Sequence, residues 1–124
     1  QRPNAVGGLE TSKPENVSRD LSKLIGVYEN NMKYEFEDII EFHYKFEIIH
    51  PFQDGNGRVG RIIALKECLR HGLVPFTIDD SIKIFYYRGL REWIKERGFL
   101  IGTCESGQDK YKELLDIYGI KYDD

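Results

Sequence analysis

The sequence predicts an all-α domain preceded by a short β-hairpin. Three observations carry this prediction. Apolar residues recur at helical spacing from Val17 onward, Pro, Gly and Asn interrupt that spacing at a few points, and residues 1–13 carry Pro3, Gly7 and Gly8 but no period. A chain of 124 residues with 40% hydrophobic content suits one domain with one core.

The first segment, with Val6 and Leu9 as isolated apolar points, reads as loop or hairpin. Pro14 and Glu15 can open a helix, since proline is tolerated in a first turn, and Val17, Leu21, Leu24, Ile25 and Tyr28 follow at helical spacing until Asn30-Asn31. A second helix starts near Tyr34. Its buried stripe is Phe36, Ile39, Ile40, His43, Phe46 and Ile49, with Glu35, Glu37, Asp38, Glu41, Lys45 and Glu47 on the other face, and Pro51 stops it just past His50. After a Gly-Asn-Gly turn a third helix runs to about His71, presenting Val59, Ile62, Ile63, Leu65 and Leu69, with Gly72 closing it. Leu73 to Ile78, containing Pro75, is a connector. Asp79 or Asp80 caps a fourth helix through Glu96, which buries Ile82, Phe85, Tyr86 or Tyr87, Leu90, Trp93 and Ile94 and stops at Gly98. Ser106 to Tyr118 is the last helix, ended by Gly119.

Composition narrows the function. Lys and Arg total 18 against 21 Asp and Glu, a net charge of −3 without long runs of one sign, which indicates neither a nucleic acid nor a membrane surface as partner. Cys68 and Cys104 show no Cys-x-x-Cys spacing, so they read as free thiols in a reducing compartment, and the cytoplasm is the expected location. No stretch approaches the roughly 18 apolar residues of a membrane span, and Gln1-Arg2-Pro3-Asn4 does not look like a signal peptide. A start at Gln1 reads as a piece of a longer protein.

The chemistry concentrates in His50-Pro51-Phe52-Gln53-Asp54-Gly55-Asn56-Gly57-Arg58-Val59-Gly60-Arg61, a loop between two helices that ends at a helix start, where unpaired N–H groups favour an anion. His50 has the side chain best suited to accept a hydroxyl proton near neutral pH. An isolated histidine at a helix end would more often serve the helix dipole, but these neighbours reverse those odds. Asp54 can bind Mg2+, which takes one or two carboxylates together with phosphate oxygens. Gly55 and Gly57 permit backbone angles closed to other residues and let a phosphate approach the N–H groups, while Asn56 either caps the helix or fixes the loop. Arg58 and Arg61 share a helix face and can grip phosphates. Positive charge there opposes the dipole, so a phosphate ligand explains it better than a solvated surface does. Phe52 is expected to be the loop's hydrophobic foot.

This stretch resembles the signature of Fic domains, His-Pro-Phe-x-Asp/Glu-Gly-Asn-Gly-Arg-x-x-Arg, at every defined position from His50 through Arg61. Val6-Gly7-Gly8-Leu9-Glu10 with Pro14-Glu15-Asn16-Val17 is similar to the hairpin flap and the following helix start of these proteins, and Phe85-Tyr86-Tyr87-Arg88-Gly89-Leu90 to their Tyr-rich helix. The resemblance implies a compact Fic-type helical bundle over residues 1–124, lacking amino-terminal helices of a longer protein. It implies transfer of AMP from ATP to a Tyr, Thr or Ser hydroxyl of a target protein, with release of pyrophosphate. His50 would be the general base, Asp54 the Mg2+ ligand, Gly55, Asn56 and Gly57 the anion-binding turn, and Arg58 and Arg61 the phosphate contacts. Gly7, Gly8, Leu9, Glu10 and Thr11 would form the flap that clamps the target by backbone pairing.

The resemblance also implies an inhibitory helix bearing Ser/Thr-x-x-x-Glu-Gly/Asn. Thr11-Ser12-Lys13-Pro14-Glu15-Asn16 matches those letters, but Pro14 would fall inside the required helix, so an inhibitory segment is expected elsewhere or on a partner protein. If it was removed with a missing amino-terminal part, this chain is expected to be constitutively active. Other readings fare worse. Zinc hydrolysis through His43, His50 and Asp54 lacks a His-Glu-x-x-His pattern, and no Gly-Lys-Ser/Thr follows the turn as a Walker-type kinase requires. Trp93, Tyr86 and Tyr87 at helical spacing read as core before an adenine platform, with Tyr87 kept as a nucleotide-binding candidate. A peptide-binding module with an idle site, another phosphate-containing donor, and the removal of AMP remain alternatives.

Overall fold

A computed structural model of the chain describes residues 5–6, 9–30, 33–50 and 55–122, with the backbone alone at 5, 6, 9, 10 and 56. Strands β1 (Ala5–Val6) and β2 (Leu9–Glu10) pair antiparallel over two residues each. A 3-10 turn over Pro14–Asn16 leads into α1 (Val17–Glu29), followed by α2 (Phe36–Ile49), α3 (Asn56–Arg70), α4 (Lys83–Glu92) and α5 (Gly98–Ile117). The described chain is therefore mainly helical, as its periodicity predicts. It divides into two units, Gln1–Ala64 and Leu65–Asp124.

In the first unit α1 packs on α2. Leu24, Phe46 and Ile49 form its buried centre, with Val17, Leu21, Phe42, Val59 and Ile63 against them. Tyr28 stacks on Tyr34 and Phe42, at 4.6 and 4.5 Å between ring centroids, and the Tyr34 hydroxyl donates to the Tyr28 carbonyl, which fixes the turn between the two helices. The Glu35 N–H donates to Asp38 Oδ2 at 2.8 Å, so a carboxylate satisfies a donor at the start of α2. Ile25, expected in the stripe of α1, is 42% exposed.

Two face assignments need correction. Glu47, expected on the solvent side of α2, is 2% exposed. Ile62 and Leu69 are exposed, whereas Gly60, Ala64, Glu67 and Cys68 are buried, so α3 turns its small residues and one glutamate inward. The missing Gly60 side chain explains this within the first unit, since a Cβ there would stand 3.2 Å from the Phe46 ring. A large apolar residue on that face would force α2 and α3 apart.

In the second unit Tyr86, Leu90, Trp93, Leu100 and Cys104 are buried. α4 and α5 cross closely at Gly89, whose Cβ would lie 2.6 Å from the Leu100 Cα. Asp79 does not cap α4. Its Oδ1 accepts from the N–H and hydroxyl of Ser81 and its other oxygen pairs with Lys110, making a turn that delays the helix until Ile82 can serve as N-cap. The helix also ends early, at Glu92, and leaves Phe85 and Ile94 exposed. α5 begins at Gly98 instead of Ser106, so Gly98, Gly102 and Gly107 all lie within the helix and none of them breaks it. Gly107 is a packing site, with the Thr77 carbonyl oxygen 2.3 Å from where its Cβ would be. Cys68 and Cys104 are both buried and free, with the Cys68 thiol pushed up to about 12 mainly by burial, so neither is a reactive thiol.

Two glycine substitutions separate helix propensity from packing. Gly26 lies exposed in α1 with nothing within 4 Å of a built Cβ. Gly26→Ala should raise unfolding stability by about 0.5–1 kcal/mol. Gly107→Ala should lower it by about 1–3 kcal/mol through the clash with Thr77. Urea titration of both variants tests this, and equal effects of one sign would contradict the packing account.

Candidate active site

The site grows from the end of α2. His50 is its C-cap residue and adopts a left-handed backbone, φ 54° and ψ 60°, the one positive φ among the described non-glycine residues. Its N–H donates to the Phe46 carbonyl at 3.2 Å, closing the last turn. Such a conformation costs an L-residue about 1–2 kcal/mol and needs surrounding structure to hold it. Part of that structure is the segment after β2. The helix end leaves the Ile48 carbonyl without an intrahelical donor, and the Ser12 N–H supplies one at 2.8 Å, while the Ser12 hydroxyl donates to Asp20 at 2.9 Å. Thr11 beside it is buried. Thr11 to Lys13 has no helical structure, and Pro14–Asn16 forms the 3-10 turn that leads into α1.

Burial holds the His50 imidazole below its ordinary value, so the ring is neutral at neutral pH and able to accept a proton. Its Nδ1 is buried and has no hydrogen-bond partner among the described residues. Asp54 and Phe52 lie outside the described residues, as do Gly7 and Gly8. Leu9 and Glu10 belong to β2 by their backbone.

α3 starts at Asn56, inside the Gly-Asn-Gly sequence and not after it. Gly55 supplies the break, with φ 75° and a carbonyl that accepts the Val59 N–H at 2.9 Å. Gly57 is the second residue of the helix and has no left-handed backbone. It serves close approach, since its Cβ would stand 2.9 Å from Nη1 of Arg61 and 3.5 Å from Oε1 of Glu47. The Arg58 guanidinium returns over Gly55, 3.3 Å from the equivalent point, and is exposed. Two guanidinium groups thus lie over the start of one helix, whose first N–H groups lack intrahelical acceptors.

Sequence reasoning missed Glu47. It projects from α2 toward α3, with Oε2 2.7 Å from the point where Gly60 lacks a Cβ. Burial pushes its carboxyl up to about 7, against the pull of Arg61 in the other direction. Burial likewise drives His43 down to about 4, opposed by a hydrogen bond with the Gly60 backbone and assisted by Arg61. The signal was present in the spacing, because residues 43, 47 and 50 share one helix face. Glu47 also changes the argument about α3. The first turn carries no acid of its own, and a carboxylate from α2 answers part of the arginines' charge only above about pH 7, where Glu47 is ionised.

Tyr87 sits half-buried on α4 in the second unit, 5.4 Å from the Tyr86 ring. Trp93 is buried beneath Arg97, 4.9 Å above its ring, which makes it core. Among the described residues no three His, Cys, Asp or Glu side chains gather as a metal cage. No described helix is long and apolar enough to cross a membrane.

The Fic/DOC family model matches residues 1–68, which include the whole stretch from β1 through nearly all of α3. A probable protein adenylyltransferase of Aquifex aeolicus is 47% identical over 53 residues, 43% of this chain and 16% of that protein. A protein adenylyltransferase of Caenorhabditis elegans is 28% identical over 88 residues, 68% of this chain and 17% of the relative. One of Drosophila willistoni is 32% identical over 106 residues, 80% of this chain and 21% of the relative. The chain spans about a fifth of the length of these relatives or less.

The Glu47 and His43 shifts have opposite signs. Folded Glu47 keeps a proton that the unfolded chain releases, so its contribution is full below pH 4.5 and lost as pH rises through 7. His43 contributes fully above pH 6.5, and its contribution is lost as pH falls through 4. Glu47→Gln removes only the first. The stability of this variant relative to wild type should therefore rise by about 3 kcal/mol from pH 4.5 to 7. Denaturant titrations across that range would show it, and a flat difference would mean the buried carboxyl is not held protonated.

Proposed function

Because the chain belongs to the Fic/DOC family, we propose that it transfers AMP from ATP to a Tyr, Thr or Ser hydroxyl of a target protein. The observation that carries this is the neutral, half-buried His50 at the end of α2, in one unit with an α3 start that bears Arg58 and Arg61. The relatives' names as protein adenylyltransferases support the same reading.

In the proposed reaction the target hydroxyl oxygen attacks the α-phosphorus of ATP, the bond to the bridging oxygen breaks, and pyrophosphate leaves. The hydroxyl proton passes to the His50 imidazole. Gly55, Asn56 and Gly57 present backbone N–H groups to phosphate oxygens, and Arg58 and Arg61 neutralise charge on them. Asp54 would hold Mg2+ with phosphate oxygens and water as its other ligands, and the ion would supply further charge neutralisation. A single carboxylate suits such a site, since Mg2+ bound to a nucleotide needs no protein cage. Positioning and electrostatics dominate phosphate transfer, and this set of groups supplies both without a protein nucleophile.

The target would lie along β2, adding a strand to the β1–β2 pair. The Ser12–Ile48 hydrogen bond supports that placement, because it ties the exit of β2 to the carbonyl two residues before His50. Recognition through backbone groups orders the acceptor without fixing its sequence. Tyr87 is proposed to contact the nucleotide, regulation to come from an inhibitory segment or partner protein, and the protein to act in the cytoplasm.

Incubation of the chain with ATP labelled on the α-phosphate, Mg2+ and cell lysate should label protein. His50→Ala should reduce labelling by roughly 100-fold or more, and Arg61→Ala should raise KM for ATP. The base must be neutral, so activity should fall only as pH drops below the ordinary histidine value of 6.5, placing the acid limb of the rate profile under that value. No labelled protein, with no change on His50→Ala, would defeat the transferase reading and leave a peptide-binding module.

A further inference from the structure

The second unit carries two exposed apolar surfaces of opposite charge that the proposed reaction does not use. The first is the outer side of α4. Ile84, Phe85, Arg88 and Arg91 follow at helical spacing and share one face, where Ile84 is 70% exposed. A groove of about 390 Å3 adjoins that face, lined by Ile82, Phe85, Arg88, Phe99, Gly102 and Thr103. A Cβ at Gly102 would meet nothing within 4 Å, and the Thr103 hydroxyl already donates to the Phe99 carbonyl at 2.8 Å. The Arg88 guanidinium lies 4.2 Å from the Phe99 ring centroid and 5.8 Å from that of Phe85, and it has no ion pair among the described residues. Residues 83–97 hold five basic side chains, Lys83, Arg88, Arg91, Lys95 and Arg97, against Glu92 and Glu96, in a chain whose net charge is −3.

The second surface is the far end of α5. Leu114, Ile117 and Tyr118 share a face there, with Ile117 and Tyr118 74% and 76% exposed. Glu113 stands one turn before Ile117. Over the second half of α5 the acids Glu105, Asp109, Glu113 and Asp116 outnumber Lys110 and Lys112, and Lys110 is engaged by Asp79. Clustered apolar side chains left in water beside charge of one sign mark a surface that a partner covers.

Each surface supplies what the other lacks, aromatic walls with an unanswered guanidinium on one and aliphatic side chains with carboxylates on the other. They cannot meet within one chain. Thr103 and Ile117 lie about 21 Å apart along one continuous helix, and the Ile120 N–H donates to the Leu115 carbonyl at 2.8 Å, which keeps the following residues at that end.

We propose that the end of α5 from a second copy of this chain docks its Leu114, Ile117 and Tyr118 face on Ile84, Phe85 and Phe99, with Glu113 beside Arg88, and that two copies exchange these ends as a closed twofold dimer. Rings that shield the faces of a guanidinium from water strengthen the pair it makes at its edge. Two copies with antiparallel α5 helices make the contact twice, and closure avoids the open chain that a single head-to-tail contact would build.

Sedimentation equilibrium of the 124-residue chain from about 10 to 500 μM tests this. A monomer–dimer equilibrium is expected, weakened about tenfold or more by Arg88→Glu and by Glu113→Arg, and recovered to within about threefold of wild type when one chain carries both changes. Gly102→Leu separates docking from folding. Its side chain would fill the groove while replacing a helix glycine, so the dimer should be lost without any loss of stability in urea titration.

A wild-type chain that stays monomeric to about 500 μM would overturn the proposal and leave the groove to an acidic helix of another protein. A dimer indifferent to Gly102→Leu, a double variant no better than the single ones, or particles growing beyond two copies would overturn it as well. If a charge variant fails to fold, Gly102→Leu decides alone, and if Gly102→Leu fails to fold, the charge exchange decides.

Discussion

The burial of one carboxylate between two helices sets the terms for the rest of the first unit. Glu47 can leave water only because α3 offers Gly57 and Gly60 at the level where it emerges from α2, and because Arg61 lies beside it. Those conditions fix the rotation of α3 about its axis. With Gly60 turned toward Phe46 and Glu47, Ile62 must face away, and the exposed apolar residues of α3 follow from that geometry.

The end of α2 illustrates a second constraint. A helix cannot stop without leaving carbonyls unpaired, and here the stop is shared between two solutions. The left-handed turn at His50 closes one hydrogen bond locally, and the segment leaving β2 satisfies Ile48 from outside. The same requirement that completes the helix therefore joins the amino-terminal segment to the residue proposed as the base. Structural satisfaction and proximity to the chemistry come from one contact.

Much of this was legible in the sequence, for identifiable reasons. Pro14, Asn30, His50 before Pro51, Gly72 and Gly119 mark helix limits, because backbone chemistry at those points is local. The dense signature from His50 to Arg61 lies within the residues that the family model matches. Glu47 escaped because a charged residue is assigned outward by its chemistry, while the partners that overrule this lie on another helix. Gly98 misled as well, because a glycine that ends one helix and one that opens the next carry the same letter. Asp79 was drawn from helix capping into a turn by Ser81 and by Lys110 from a later helix. Each miss is a tertiary contact overriding a sound local preference.

The backbone at position 50 also bears on how such a domain could change over generations. Glycine or asparagine would occupy a φ of 54° with less strain than histidine, so the fold gains nothing locally from the imidazole. A lineage that no longer needed the ring could drift to either residue and become more stable by doing so. Histidine there is therefore held against a small thermodynamic incline. Its presence or loss among descendants would record whether selection still acts on the reaction or only on the scaffold.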